Sequence, residues 1–102
     1  MLKIIAGKKY NTETAIALGY YQSNCSYSDF RYFDETLYRK KTGEYFLHGT
    51  GGPMTIYSSS QGPNCYGWGA DITPLTIREA KEWVEEHLSA EEYENIFGEV
   101  EE

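Results

Sequence analysis

The stretch from Thr36 to His48, Thr36-Leu37-Tyr38-Arg39-Lys40-Lys41-Thr42-Gly43-Glu44-Tyr45-Phe46-Leu47-His48, constrains the fold more than any other. Two runs of strand-forming residues flank Lys41-Thr42-Gly43, which suits a three-residue hairpin loop with glycine in the left-handed position. That loop sets the register. Lys40 falls opposite Glu44, Tyr38 opposite Phe46, Leu37 opposite Leu47 and Thr36 opposite His48. An ion pair and two apolar pairs line up together, which is the consistency a true register shows. An antiparallel sheet is therefore the expected framework.

The aromatic content points the same way. Ten Tyr, four Phe and two Trp in 102 residues favour pleated surfaces and a partly wetted aromatic face. A chain of this length has room for one domain, 1–102, and can bury one modest core without metal or disulfide. Leu2-Lys3-Ile4-Ile5-Ala6 reads as a first strand, Gly7-Lys8 as a tight turn and Lys9-Tyr10 as the return. Asn11 or Thr12 can cap a short helix over Glu13–Leu18, with Gly19 placed to end it. Asp34-Glu35 reads as a break or bulge in the ladder. Residues 49–70 read as loop, with one short strand at Met54-Thr55-Ile56-Tyr57.

The last quarter predicts two helices. Thr76-Ile77-Arg78-Glu79 and Ser89-Ala90-Glu91-Glu92 both have the form of a capping box. In the first helix Ile77, Ala80, Val84 and Leu88 make an apolar stripe, widened by Trp83 and His87. Arg78–Glu82 and Lys81–Glu85 are spaced as i,i+4 ion pairs. The second helix presents Tyr93, Ile96 and Phe97 and stops at Gly98. The fold class expected is α+β: a three- to five-stranded antiparallel sheet, two C-terminal helices packed on it, and a short N-terminal helix.

Charge is divided along the chain. The formal net charge is −7, yet residues 1–75 carry seven basic and six acidic groups. Residues 76–102 carry ten acidic groups against Arg78 and Lys81. An acidic segment of that density repels nucleic acid and attracts basic partners. The start Met1–Ala6 lacks the layout of a signal peptide, and no apolar run approaches a membrane span. The expected location is cytoplasmic, where Cys25 and Cys65 stay reduced.

Catalytic and metal constellations are weak. Cys25, His48, Cys65 and His87 have the composition of a zinc site without its spacing. His87 reads as a histidine packed at the core edge. His48-Gly49-Thr50-Gly51-Gly52 has neither the nucleophile elbow of an esterase nor the Gly-Lys-Ser/Thr of a phosphate loop. No cofactor, metal or catalytic residue is assigned, and the expectation is a protein that is not an enzyme.

Lys3-Ile4-Ile5, Gly7-Lys8-Lys9-Tyr10 and Thr12-Glu13-Thr14-Ala15 combine with Leu37–Leu47, Gly51-Gly52-Pro53-Met54 and the ending Glu92–Glu99 into a recognisable pattern. With them the chain resembles small accessory proteins carried by phages, plasmids and conjugative elements of Gram-positive bacteria. It departs from them at Ala6, where an Asn-Gly turn is usual. Small acidic proteins of such elements include anti-CRISPR and other anti-defence inhibitors. The resemblance implies a non-enzymatic inhibitor or adaptor that binds a host or defence-system protein with a basic surface. The residues expected to carry that binding are Glu79, Glu82, Glu85, Glu86, Glu91 and Glu92. The alternative is a small nucleic-acid-binding module using Arg31, Tyr38, Arg39, Lys40 and Lys41, which interleave cations with stacking rings. It ranks lower because the isoelectric point, near 4.8, is not that of a nucleic-acid binder. Partner identity and oligomeric state are not encoded in any motif.

Overall fold

The computed structural model describes residues 1–102 and is α+β. Strands β1 (Leu2–Ile5) and β2 (Lys8–Asn11) form a hairpin, and a four-stranded antiparallel sheet follows. That sheet contains β3 (Ile16–Gln22), β4 (Phe33–Arg39), β5 (Tyr45–Gly51) and β8 (Gly69–Leu75), in the order β3-β4-β5-β8. A second small hairpin, β6 (Ser59–Gly62) with β7 (Cys65–Gly67), is inserted before β8, and helices α1 (Ile77–His87) and α2 (Ala90–Phe97) end the chain.

The central hairpin has the register expected from sequence. Leu37 pairs with Leu47, Tyr38 with Phe46 and Thr36 with His48. The Lys40 ammonium lies 3.5 Å from Glu44, and Gly43 takes φ +96° in the turn. Because neighbours along a strand point to opposite faces, Phe46 and Leu47 belong to different cores. On one face Leu37 and Leu47 pack with Ala80, Trp83 and Val84 of α1. Tyr93, Ile96 and Phe97 of α2 extend that cluster, together with Leu18 and Leu88. On the other face Phe46 and Ile72 pack under Tyr10 of the first hairpin, with Ile5 and Tyr38 beside them. The sheet is thus covered by helices on one side and by a ribbon on the other.

Four sequence expectations are corrected. The helix over Glu13–Leu18 does not form. Asn11 instead holds a turn, its side chain accepting from the Glu13 N–H at 2.9 Å, and Ile16 opens β3 against Arg39. A six-residue helix barely exceeds its own nucleation cost, whereas pairing on β4 supplies ladder hydrogen bonds along a whole edge. Asp34 and Glu35 do not break the ladder; both pair on each side, Asp34 with Gln22 and Thr50, Glu35 with Tyr21 and Gly49. Each finds hydrogen-bond donors on its own face, which offsets the poor strand propensity of acidic residues. Met54–Tyr57 forms successive turns rather than a strand, and the extra pairing lies at Ser59–Gly67. Ile77 lies outside the apolar stripe, at 57% exposure, while Ala80, Trp83 and Val84 are buried.

The first hairpin turns through Ala6 and Gly7, with φ of +50° and +78°. Two positive φ values in succession are what a two-residue turn of type I′ demands, and alanine pays a steric cost there that asparagine largely avoids. Ala6→Asn is expected to raise stability by about 0.5–1 kcal/mol in urea unfolding. An unchanged midpoint would mean that the turn relaxes freely.

Candidate partner-binding surfaces

Both C-terminal helices start on side-chain caps. The Thr76 hydroxyl accepts from the Glu79 N–H at 3.1 Å, and the Glu79 carboxylate accepts from the Thr76 N–H at 2.9 Å. That backbone hydrogen bond lowers the Glu79 pKa, so Glu79 is tied to its own helix end. At α2 the Glu92 N–H donates to the Ser89 hydroxyl, as expected. The Glu92 carboxylate, however, accepts from the Ser89 hydroxyl at 3.2 Å and not from the backbone, so the box is only half formed.

The remaining acids differ in how free they are. Glu82 accepts from Arg78 Nε at 3.2 Å, the i,i+4 pair anticipated from spacing. The Lys81–Glu85 pair does not form; the Lys81 ammonium lies 5.7 Å from the centre of the Phe97 ring. An exposed ion pair is worth at most about 1 kcal/mol, so contact with an aromatic face displaces it readily. Glu85 and Glu91 are left exposed and without an ion-pair partner, and Glu86 lies 4.0 Å from its neighbour His87.

Glu85 rims a groove of about 660 Å³ between the end of α1, α2 and the C-terminal tail. Its apolar lining is Leu88, Ala90, Tyr93 and Val100, and Glu94, whose carboxylate accepts from the Val100 N–H at 3.1 Å, and Glu102 add to its acidic lining. Neither basic side chain of the last quarter lines it. Chemically it can take an apolar side chain flanked by cations.

A second cleft of about 430 Å³ opens beside α1, among Arg31, Phe33, Met54, Ile56, Glu86 and His87, with Glu35 at its base. Glu35 is 8% exposed and accepts from the Trp83 indole N–H at 2.9 Å and from the Tyr57 hydroxyl. Burial, reinforced by that hydrogen bond, drives the Tyr57 pKa far up, so the phenol stays protonated as a donor. Gly49, opposite Glu35, leaves room for the Tyr57 ring. This buried triad was not anticipated from sequence. The available signal was Glu35 two residues before Leu37 on the same face, facing a glycine. His87 packs at the core edge, its ring centre 3.9 Å from that of Tyr21 and 5.2 Å from that of Trp83.

The alternative set of hairpin residues is dispersed. Arg31 is bound to Asp29 at 3.0 Å near the second cleft. The Tyr38 ring stacks on Phe46 at 5.2 Å, and Arg39 ends β4. Lys40 and Lys41 instead meet Lys9 of the first hairpin, together with Asn11, Thr14 and Thr42, around a hollow of about 170 Å³. Lys9 was not singled out in sequence, because it lies about 30 positions from the turn it joins.

A scan of the chain against protein-family models, and searches of curated proteins and of solved structures, find no match. Function must be argued from these surfaces. No helix is long and apolar enough to cross a membrane.

Proposed function

We propose that this chain is a non-enzymatic inhibitor or adaptor that binds a basic surface of a host defence protein, of the anti-CRISPR kind that the resemblance implies, through α1 and α2. The observation that carries the reading is the groove under Glu85, Glu94 and Glu102. An apolar lining beside carboxylates that have no cationic partner pairs area burial with charge complementarity, the combination found at specific interfaces. The acids Glu82, Glu85, Glu86, Glu91 and Glu92 extend the negative field around it, while Glu79 serves the helix cap. A binding role also fits the use made of the most buried polar groups. Glu35, Tyr57 and Trp83 are spent on one another, which leaves them holding the fold rather than a substrate.

The test is capture of partners from a host lysate by the wild-type chain and by the triple variant Glu82→Lys, Glu85→Lys, Glu86→Lys, with mass-spectrometric identification. The reversed helix is expected to lose those proteins while its circular dichroism is unchanged, and wild-type capture should fall steeply with salt. Identical capture by both chains at every salt concentration would overturn the reading.

A further inference from the structure

We infer that the hollow between the first hairpin and the central turn is a binding site for a phosphate group, the terminal phosphate of a small phosphomonoester or inorganic phosphate itself. Lys9, Lys40 and Lys41 line it, and Asn11, Thr14 and Thr42 supply the rest of the lining. Three of the six lining residues are cationic, and none is acidic. In a chain of net charge −7 such a concentration of cations is not a by-product of composition.

Lys40 is built into the site. Its side chain is only 13% exposed, and its ammonium lies 3.6 Å from the centre of the Tyr10 ring. Glu44 does not neutralise the cluster, because it is shared: its oxygens accept from Lys8 at 2.9 Å and from the Thr42 hydroxyl at 3.3 Å, and lie 3.5 Å from Lys40. Those contacts lower the Glu44 pKa, chiefly through the Lys8 hydrogen bond, and raise that of Lys8. Lys9 and Lys41 are exposed and have no ion-pair partner, so two full charges remain for a ligand. The Asn11 side-chain oxygen is used by the Glu13 N–H, which leaves its amide NH₂ as a donor.

Size and charge choose the ligand. A hollow of about 170 Å³ equals about five or six water-sized groups, which gives room for one tetrahedral oxyanion. Ammonium groups bind phosphate as point charges, and the Asn11 amide NH₂ is the neutral donor beside them, since the Thr42 hydroxyl donates to Glu44 and the Thr14 hydroxyl to the Asn11 carbonyl. An extended nucleic-acid backbone would need a row of cations, and Arg31 lies instead at the second cleft, bound to Asp29. The acidic helices occupy the other side of the sheet. Layers about 10 Å apart put them about two Debye lengths away at physiological salt, so they do not repel an anion held here.

The experiment is a titration of the uniformly ¹⁵N-labelled chain with inorganic phosphate, followed by amide shifts at constant ionic strength, with chloride as control. Saturable shifts confined to residues 9–14 and 40–42 are expected, with affinity at least about tenfold weaker in Lys9→Ala, Lys41→Ala. Shifts equal to those of chloride, or an affinity unchanged in that variant, would overturn the site. Two further arms identify the source. Tighter binding of adenosine monophosphate than of phosphate assigns an organic phosphomonoester, and the reverse order assigns free phosphate. A single-stranded oligonucleotide with a 5′-hydroxyl should leave these residues unmoved; binding there would replace the phosphomonoester by a diester backbone.

Discussion

Gly49→Ala is expected to destabilise the chain by about 3–5 kcal/mol. The added carbon would overlap the hydroxyl end of the Tyr57 ring. Normally the tip of a long side chain swings aside at little cost. Here the ring is 5% exposed and its hydroxyl is committed to Glu35, so it has no free exit. Overpacking costs about 1–3 kcal/mol, and loss of a buried hydrogen bond to a charged group costs about 1.5–3 kcal/mol more. Urea unfolding measures the sum. The double variant Gly49→Ala, Tyr57→Ala should be no less stable than Tyr57→Ala alone, since the ring that collides is gone. Additive losses would show that Gly49 acts for some reason other than room for Tyr57.

The second large effect belongs to Glu35. Glu35→Ala leaves the Trp83 indole N–H and the Tyr57 hydroxyl buried without an acceptor, and each orphaned donor costs about 1–3 kcal/mol. A total loss of about 3–5 kcal/mol is expected once the vacated volume is included. Glu35→Gln should lose less, because its amide oxygen can still accept from Trp83. The indole N–H resonance of Trp83 reports the contact directly, and its protection from solvent exchange should fall in the alanine variant. Loss of stability with an unmoved indole resonance would assign the cost to packing alone.

The parts of the fold legible in sequence were those fixed by neighbours along the chain. The Thr36–His48 hairpin was readable because three residues of turn determine its whole register, and both C-terminal helices because their caps lie within three residues of their starts. The errors arose where distant partners decided the outcome. Ile16–Gly19 is a strand because Arg39, Tyr38 and Leu37 offer an edge about 20 residues away. Asp34 survives in the ladder because the Tyr32 and Thr50 hydroxyls donate to it, at 3.1 and 2.8 Å. Glycines 49 and 51 read as loop, yet they lie in β5 under Tyr57 and Thr55. The acidic helices and two of the three lysines of the phosphate hollow were also visible in advance. Lys9 and the Glu35 triad were not, since they depend on separations of about 30 and 48 residues.

Helices on one side of the sheet and a lysine-bearing ribbon on the other give the molecule a transverse electric dipole. A body polarised in this way is turned by the field of any strongly charged object before the two touch. A positively charged protein would meet the helices first and an anion would meet the ribbon first, so each encounter begins already aligned. The gain enters through the association rate, and added salt should lower affinity by slowing association while leaving dissociation nearly unchanged.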